Sequence, residues 1–250
     1  MKPNGQPNLT STLSALGNGV LAISAFLIAV TFVVKEFRPK ADTNRISERP
    51  VRVWSELLAA SSVVRVGSGL VDIVEIGDFQ CPACRAFAAV LTNLEQRYPQ
   101  NLSIRFIHFP LPYHAYANEA SLAALCAAEQ DAFRGMFDHL FEKQDSIGAK
   151  SMMSYAGDAG IRDTLALAQC MQGERAAGRL KDNVSIGEKL GIDGTPTVFV
   201  NGMQLSRVPT FRELDSIVAN KVAMRVKPVS VEQHSSHDTR ISSAQRREPR

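Results

Sequence analysis

Two cysteines three residues apart, Cys81-Pro82-Ala83-Cys84, are the residues best suited to chemistry in this 250-residue chain. A thiolate attacks disulfides, and a second thiol one helical turn away can then release the mixed disulfide. The pair lies where the sequence changes period. Before it, Leu70-Val71-Asp72-Ile73-Val74-Glu75-Ile76 is apolar and β-branched and predicts a buried strand. After it, Phe87, Val90, Leu91, Leu94 and Tyr98 recur at offsets of three and four and predict one face of a helix. Pro82 suits the first helical position, where a missing N–H costs nothing. Cys81 therefore falls at a helix N-terminus, whose unpaired N–H groups and dipole favour negative charge. That placement predicts a thiol ionising below the free value of roughly 8.5.

Structural zinc would need two more ligands, and there is neither a second Cys-x-x-Cys nor a His-x-x-x-His. A purely structural bridge across so short a loop would add little chain-entropy stabilisation. No metal and no organic cofactor is expected. The remaining cysteines, Cys126 and Cys170, read either as a second disulfide pinning two helices or as two buried reduced thiols, with the bridge favoured in an exported chain. The lone histidines His108, His114 and His139 read as structural or surface residues.

The elements around the pair follow in order. Ser103 to Phe109 alternates and predicts a second strand, ended by Pro110-Leu111-Pro112. An alanine-rich stretch, about 115–190, predicts several short helices punctuated by glycines. Thr197 to Val200 predicts a strand, Asn201-Gly202 a two-residue hairpin turn, and Met203 to Val208 the returning strand. Phe211, Leu214, Ile217, Val218 and Val222 line one face of a final helix. The sum is an α/β sandwich on a mixed sheet with a helical insertion.

The ends differ in character. Leu13 to Val34 is 22 residues without a charge, long enough as a helix to span roughly 33 Å, a bilayer's hydrocarbon core. No small-x-small cleavage pattern follows it, which favours an uncleaved N-terminal transmembrane signal-anchor over a cleaved signal peptide. Lys2 before the run and Lys35, Arg38, Lys40 and Arg45 after it would place the following domain in the cytoplasm. Disulfide chemistry argues for an oxidising, extracytoplasmic compartment such as a bacterial periplasm or cell envelope. We expect the chemistry to prevail. The organisation expected is an anchor at 1–34, a solvated linker at 35–50, the globular domain at 51–225 and a disordered tail at 226–250. Hydrophobic content of 45% and a net charge of only +3 fit one globular domain and give no reason to expect nucleic acid as a partner.

Several segments, taken together and in order, resemble the DsbA-like thioredoxin-fold family over roughly residues 52–223. Val74-Glu75-Ile76-Gly77-Asp78-Phe79-Gln80-Cys81-Pro82-Ala83-Cys84 is similar to its active-site segment. His108-Phe109-Pro110-Leu111 with His114 and Ala117 is similar to the segment after its next strand. Ala124-Leu125-Cys126-Ala127-Ala128-Glu129-Gln130 with Phe133 resembles the start of its helical insertion. Gly194-Thr195-Pro196-Thr197, followed by Asn201-Gly202, resembles its cis-proline loop. The resemblance implies a thioredoxin fold, Cys81 as nucleophile and Cys84 as resolving cysteine. It implies that Pro196 is cis and, with Thr195, lines the groove for an extended substrate chain. It implies that Glu75 is a buried acid that exchanges a proton with Cys84. The implied activity is thiol–disulfide exchange with protein substrates, with a membrane redox partner that recycles the pair. Ala83 stands where strongly oxidising members carry His, which implies a milder oxidant. Thr195 before the cis-proline is shared with isomerase relatives, so isomerase or reductase directions stay open, as does a tethered binding or redox-sensing module.

Overall fold

The structure, a computed structural model, describes residues 29–30 and 46–226. The membrane-anchor expectation for Leu13 to Val34 lies outside these residues except at Ala29 and Val30, and the tail expected beyond 226 lies outside them entirely. Among the described residues no helix is long and apolar enough to cross a membrane.

The elements of the main body are β1 (Glu48–Pro50), α1 (Trp54–Ala60), β2 (Ser62–Arg65), β3 (Val71–Gly77), α2 (Pro82–Arg97) and β4 (Leu102–His108). A helical block follows: α3 (Ala117–Ala128), α4 (Phe133–Glu142), a single 3-10 turn (Gln144–Ser146), α5 (Met152–Asp158), α6 (Thr164–Met171) and α7 (Glu174–Lys189). The chain returns through β5 (Thr197–Val200), β6 (Met203–Leu205) and α8 (Phe211–Val226). The six strands form one mixed sheet in the order β1-β6-β5-β3-β4-β2. β3 and β4 run parallel, joined by the crossover helix α2, and the other neighbours are antiparallel.

β3 is the centre of the sheet, and its side chains alternate between two cores. Val71 and Ile73 face the larger one, with Phe87, Leu91 and Leu94 of α2 and most of the helical block. Val74 and Ile76 face the smaller one, with Leu57 of α1 and Ile186 of α7. α2 stops at Tyr98, ahead of Pro99, and the Tyr98 hydroxyl bonds Asp215 Oδ1 of α8 at 2.7 Å. In the helical block, five alanines of α3 (117, 120, 123, 124 and 127) are fully buried, so its neighbours pack close to the backbone. Phe79, Phe106, Phe137 and Phe141 join sheet and insertion, with ring centroids 4.9–6.2 Å apart.

The linker expected at 35–50 ends early, since Glu48–Pro50 pairs with β6. This sequence carries no strand pattern, but it sits on the sheet's edge, where proline is tolerated. The returning strand expected at Met203 to Val208 spans only Met203–Leu205, as far as β1 supplies a partner. The hairpin turn has Asn201 and Gly202 at φ of 48° and 81°, the left-handed pair that a two-residue hairpin requires. Asn201 also ties the turn to β3: its Oδ1 accepts the Asp72 N–H at 2.7 Å.

Candidate active site

The site is assembled where three segments meet at the end of β3. The first is the loop 78–81 entering α2. Cys81 is the N-cap of α2, with extended backbone, and Pro82 follows at the first helical position. Cys81 and Cys84 are both free thiols; Cys81 is 6% exposed and Cys84 fully buried. The second segment is the loop before β5, where the Thr195-Pro196 peptide is cis. The Cys81 Sγ lies 3.3 Å from the Thr195 carbonyl oxygen, so the loop and the sulfur are in contact. The Thr195 hydroxyl is buried without a partner of its own.

The third segment is β3 itself. Glu75 is fully buried in its centre, paired with Phe106 on one side and Val198 on the other. Neither carboxyl oxygen meets a donor at hydrogen-bonding geometry. Gly77 makes room for it: a Cβ there would stand 2.4 Å from the Phe106 ring and 2.8 Å from Glu75 Oε1.

The electrostatics follow from this packing. The Cys81 thiol is lowered from 9.0 to about 5, mainly by a hydrogen bond from the Cys84 thiol. Burial opposes the shift, while Thr195 and the backbone N–H groups of Ala83 and Cys84 add to it. Cys84 moves the other way: burial raises it, and the bond to Cys81 and the charge of Glu75 raise it further. Burial pushes Glu75 up to about 8; the Cys84 thiol offsets part of this, and the Cys81 charge adds to the rise. At neutral pH the arrangement favours an ionised sulfur at Cys81, beside the cis-proline loop, with a protonated thiol and a protonated acid behind it.

Two polar residues that sequence reasoning passed over hold the loop. Asp78 is fully buried, and its Oδ1 accepts the Gln80 N–H at 2.7 Å. Its Oδ2 accepts the Leu111 N–H at 2.7 Å and faces His114 Nδ1 at 2.8 Å. Its own N–H points at the Cys84 sulfur, 3.5 Å away, and its carbonyl accepts the Cys81 N–H at 3.1 Å. His114, read from sequence as a bystander, is thus part of the loop's support. Gln144 of the 3-10 turn is the other: its Nε2 donates to the carbonyls of Phe79 and Cys81. The Asp78 signal was available in principle, since an aspartate bonding the N–H two residues on is a common turn device. His108 plays no part. It is buried among Phe79, Phe106 and Phe133, and burial together with Arg179 lowers it to about 3, so it stays neutral.

Cys126 and Cys170 lie away from the pair, in α3 and α6. They are joined by a disulfide with an S–S distance of 2.04 Å.

The family model described as Thioredoxin matches residues 68–220. The chain is similar to the Na(+)/H(+) antiporter NhaA 3 of Salinispora tropica, 36% identical over 135 residues, covering 53% of this chain and 20% of that protein. The chain thus spans about a fifth of the length of the curated relatives it matches first. It is also similar to the probable disulfide bond formation protein D of Bacillus anthracis, 24% identical over 205 residues, covering 77% of this chain and 89% of that one. Among solved structures, the catalytic domain of Proteus mirabilis ScsC matches in fold with a TM-score of 0.56 at 22% identity, covering 66% of this chain and 90% of that one. The matched span holds the cysteine pair, Glu75 and the cis-proline loop, and the chain belongs to the thioredoxin family, here with a helical block inserted between β4 and β5.

Proposed function

We propose that this chain is a thiol–disulfide oxidoreductase acting on protein substrates through Cys81 and Cys84. The observation that carries the reading is the Cys81 thiol itself: it caps α2, touches the cis-Pro196 loop and is lowered to about 5.

In the oxidising direction a substrate thiolate attacks the Cys81 sulfur of the Cys81–Cys84 disulfide. A substrate–Cys81 bond forms, the Cys81–Cys84 bond breaks, and Cys84 leaves with the electron pair. A leaving thiolate in so buried a place needs a proton, which Glu75 holds at neutral pH and can give. A second substrate thiolate then attacks the substrate sulfur and expels Cys81 as a thiolate, the form its surroundings favour. The substrate is oxidised by two electrons and the pair reduced by two. The reverse sequence is a reductase. Stabilising the Cys81 thiolate favours the reduced pair and so the oxidising direction. Thr195 and Pro196 are proposed to line the strip along which a substrate chain lies extended, with the Thr195 carbonyl oxygen against the Cys81 sulfur.

The pair is proposed to work outside the cytoplasm, tethered through residues 13–34 and recycled by a membrane redox protein. The Cys126–Cys170 bridge supports an oxidising compartment. Mass-tagging of thiols in intact cells reports the side of the membrane and the resting redox state. Tagging of Cys81 only after the cell is opened would overturn this placement.

The activity is tested with the full chain, by the rate at which it catalyses reduction of insulin by dithiothreitol and oxidation of a reduced dithiol peptide. Equilibration with glutathione gives the potential and hence the direction. Catalysis by the natural chain that is lost in Cys81→Ser supports the proposal. Equal rates for the two overturn it.

A further inference from the structure

Gln144 is a polar residue where a surface turn would need none. It opens the 3-10 turn between α4 and α5, inside the helical insertion, and is only 7% exposed. Its side-chain nitrogen lies 2.7 Å from the Phe79 carbonyl oxygen and 3.0 Å from that of Cys81. An amide nitrogen carries two hydrogens, and both are committed to the backbone that presents the reactive sulfur. The Cys81 carbonyl already accepts the first bond of α2, from the Arg85 N–H at 3.2 Å, so Gln144 fills its second lone pair.

The turn that holds Gln144 is itself fixed. The hydroxyl of fully buried Tyr155 donates to the Lys143 carbonyl at 2.7 Å, and the Ile147 N–H closes on the Gln144 carbonyl at 3.0 Å. A side chain held this way is preorganised, with little rotamer freedom left to lose. Its partners matter electrically as well as sterically. Carbonyl oxygens carry partial negative charge, and those of residues 79 and 81 flank the sulfur along the chain. A donor on each draws that charge away from a site where a thiolate must be held.

We propose that Gln144 is a positioning residue for the Cys81 thiol: its paired amide donors let the helical insertion fix the loop carrying the sulfur and favour its ionised form. The inference rests on Cys81 being the exchanging sulfur, but its test does not use exchange.

The test measures the pH dependence of Cys81 alkylation by iodoacetamide in the reduced full chain. Gln144→Met keeps the length and removes the donors. Its midpoint should rise by about one pH unit, a tenfold weaker preference for the thiolate. Gln144→Glu keeps the shape, and as a carboxylate it can only accept; its midpoint should rise at least as far. Lower thermal stability with an unmoved midpoint in both variants would reduce Gln144 to a structural residue and overturn the inference. Should neither variant fold, the natural chain decides by NMR. The Gln144 side-chain amide protons should exchange slowly, and their shifts should follow the Cys81 midpoint. Exchange at the rate of an exposed glutamine would overturn it. A moved midpoint in a chain that catalyses no exchange would refute the proposed activity and leave Gln144's role standing; catalysis with an unmoved midpoint would do the reverse.

Discussion

The chain holds two cysteine pairs with opposite chemistry. Cys81 and Cys84 are free thiols at the opening turn of a helix, above a buried acid and beside a cis-proline loop. Cys126 and Cys170 are 44 residues apart, bonded to each other within the packed helical block. All four begin as the same side chain. What separates them is the local field and the access. Around Cys81, an adjacent thiol, Thr195 and the first N–H groups of α2 all favour a negative sulfur. Cys126 sits at the end of α3, where the helix terminus offers carbonyls instead, and the Glu129 carboxyl group lies 3.7 Å from its partner's sulfur. Reactivity is a property of the place: the neighbouring Cys84 thiol lowers Cys81 most, and Thr195 and the helix terminus add to it.

The largest expected effect comes from breaking each pair in turn. Cys81→Ser should cost on the order of 10³-fold or more in catalysed exchange, since no other sulfur in the described residues is both ionised and reachable. Replacing Cys126 and Cys170 together by Ala should leave that rate within about threefold. It should instead lower unfolding stability by about 3–4 kcal/mol, because the bridge closes a long loop in the unfolded chain. Insulin reduction and urea unfolding check the two halves. If removal of the second pair slowed exchange as much as Cys81→Ser, the division between a reactive and a structural pair would fall.

Glu75 sharpens the contrast from below. Its ordinary value is 4.5 and in the fold it stands near 8. Below about pH 4.5 folded and unfolded chains both hold the proton, so the group has no effect on stability. Between about 4.5 and 8 the unfolded chain releases the proton and the folded one keeps it, so stability falls as pH rises. Glu75→Gln removes this penalty. It should stabilise the protein by about 2–3 kcal/mol at pH 7, with the gain vanishing near pH 4. The same substitution should slow exchange about tenfold, because Cys84 loses its proton donor. A stability gain independent of pH would contradict the buried, protonated acid.

The parts of this arrangement that lie along the chain were legible in sequence, and those that cross it were not. β3, α2 and β5 are marked by runs of apolar residues, a change of period and a proline at the helix start, and each falls within about a residue of its expected bounds. Cys81 and Pro196 stand out through motifs whose spacing is local. β1 escaped notice because Glu48-Arg49-Pro50 is two charged residues and a proline, and owes its strand to pairing with β6. β2 is too short for its buried–exposed alternation at Ser62, Val63 and Val64 to stand out. Asp78 and Gln144 act on partners 33 to 65 residues away, and a single polar residue carries no periodicity that would announce such a partner.

The smallest effect is expected at Arg85, and it tests the comparison most finely. Arg85 follows Cys84 directly, and its positive charge would be the obvious cause of a lowered thiol if surface charge governed the pair. Yet its side chain is 41% exposed and spends its charge on Asp145, 2.9 Å away and itself 85% exposed. A pair so open to water interacts weakly with its surroundings, and its net contribution to stability is typically below about 1 kcal/mol. Arg85→Ala should therefore move the Cys81 alkylation midpoint by less than about 0.3 pH unit and change stability by about 0.5 kcal/mol or less. Raising the salt concentration should move the midpoint of the natural chain equally little, since the groups that lower it are uncharged hydrogen-bond donors in direct contact with the sulfur. A shift of a full unit in Arg85→Ala, erased by salt, would transfer control of the sulfur from the helix terminus to the protein's surface.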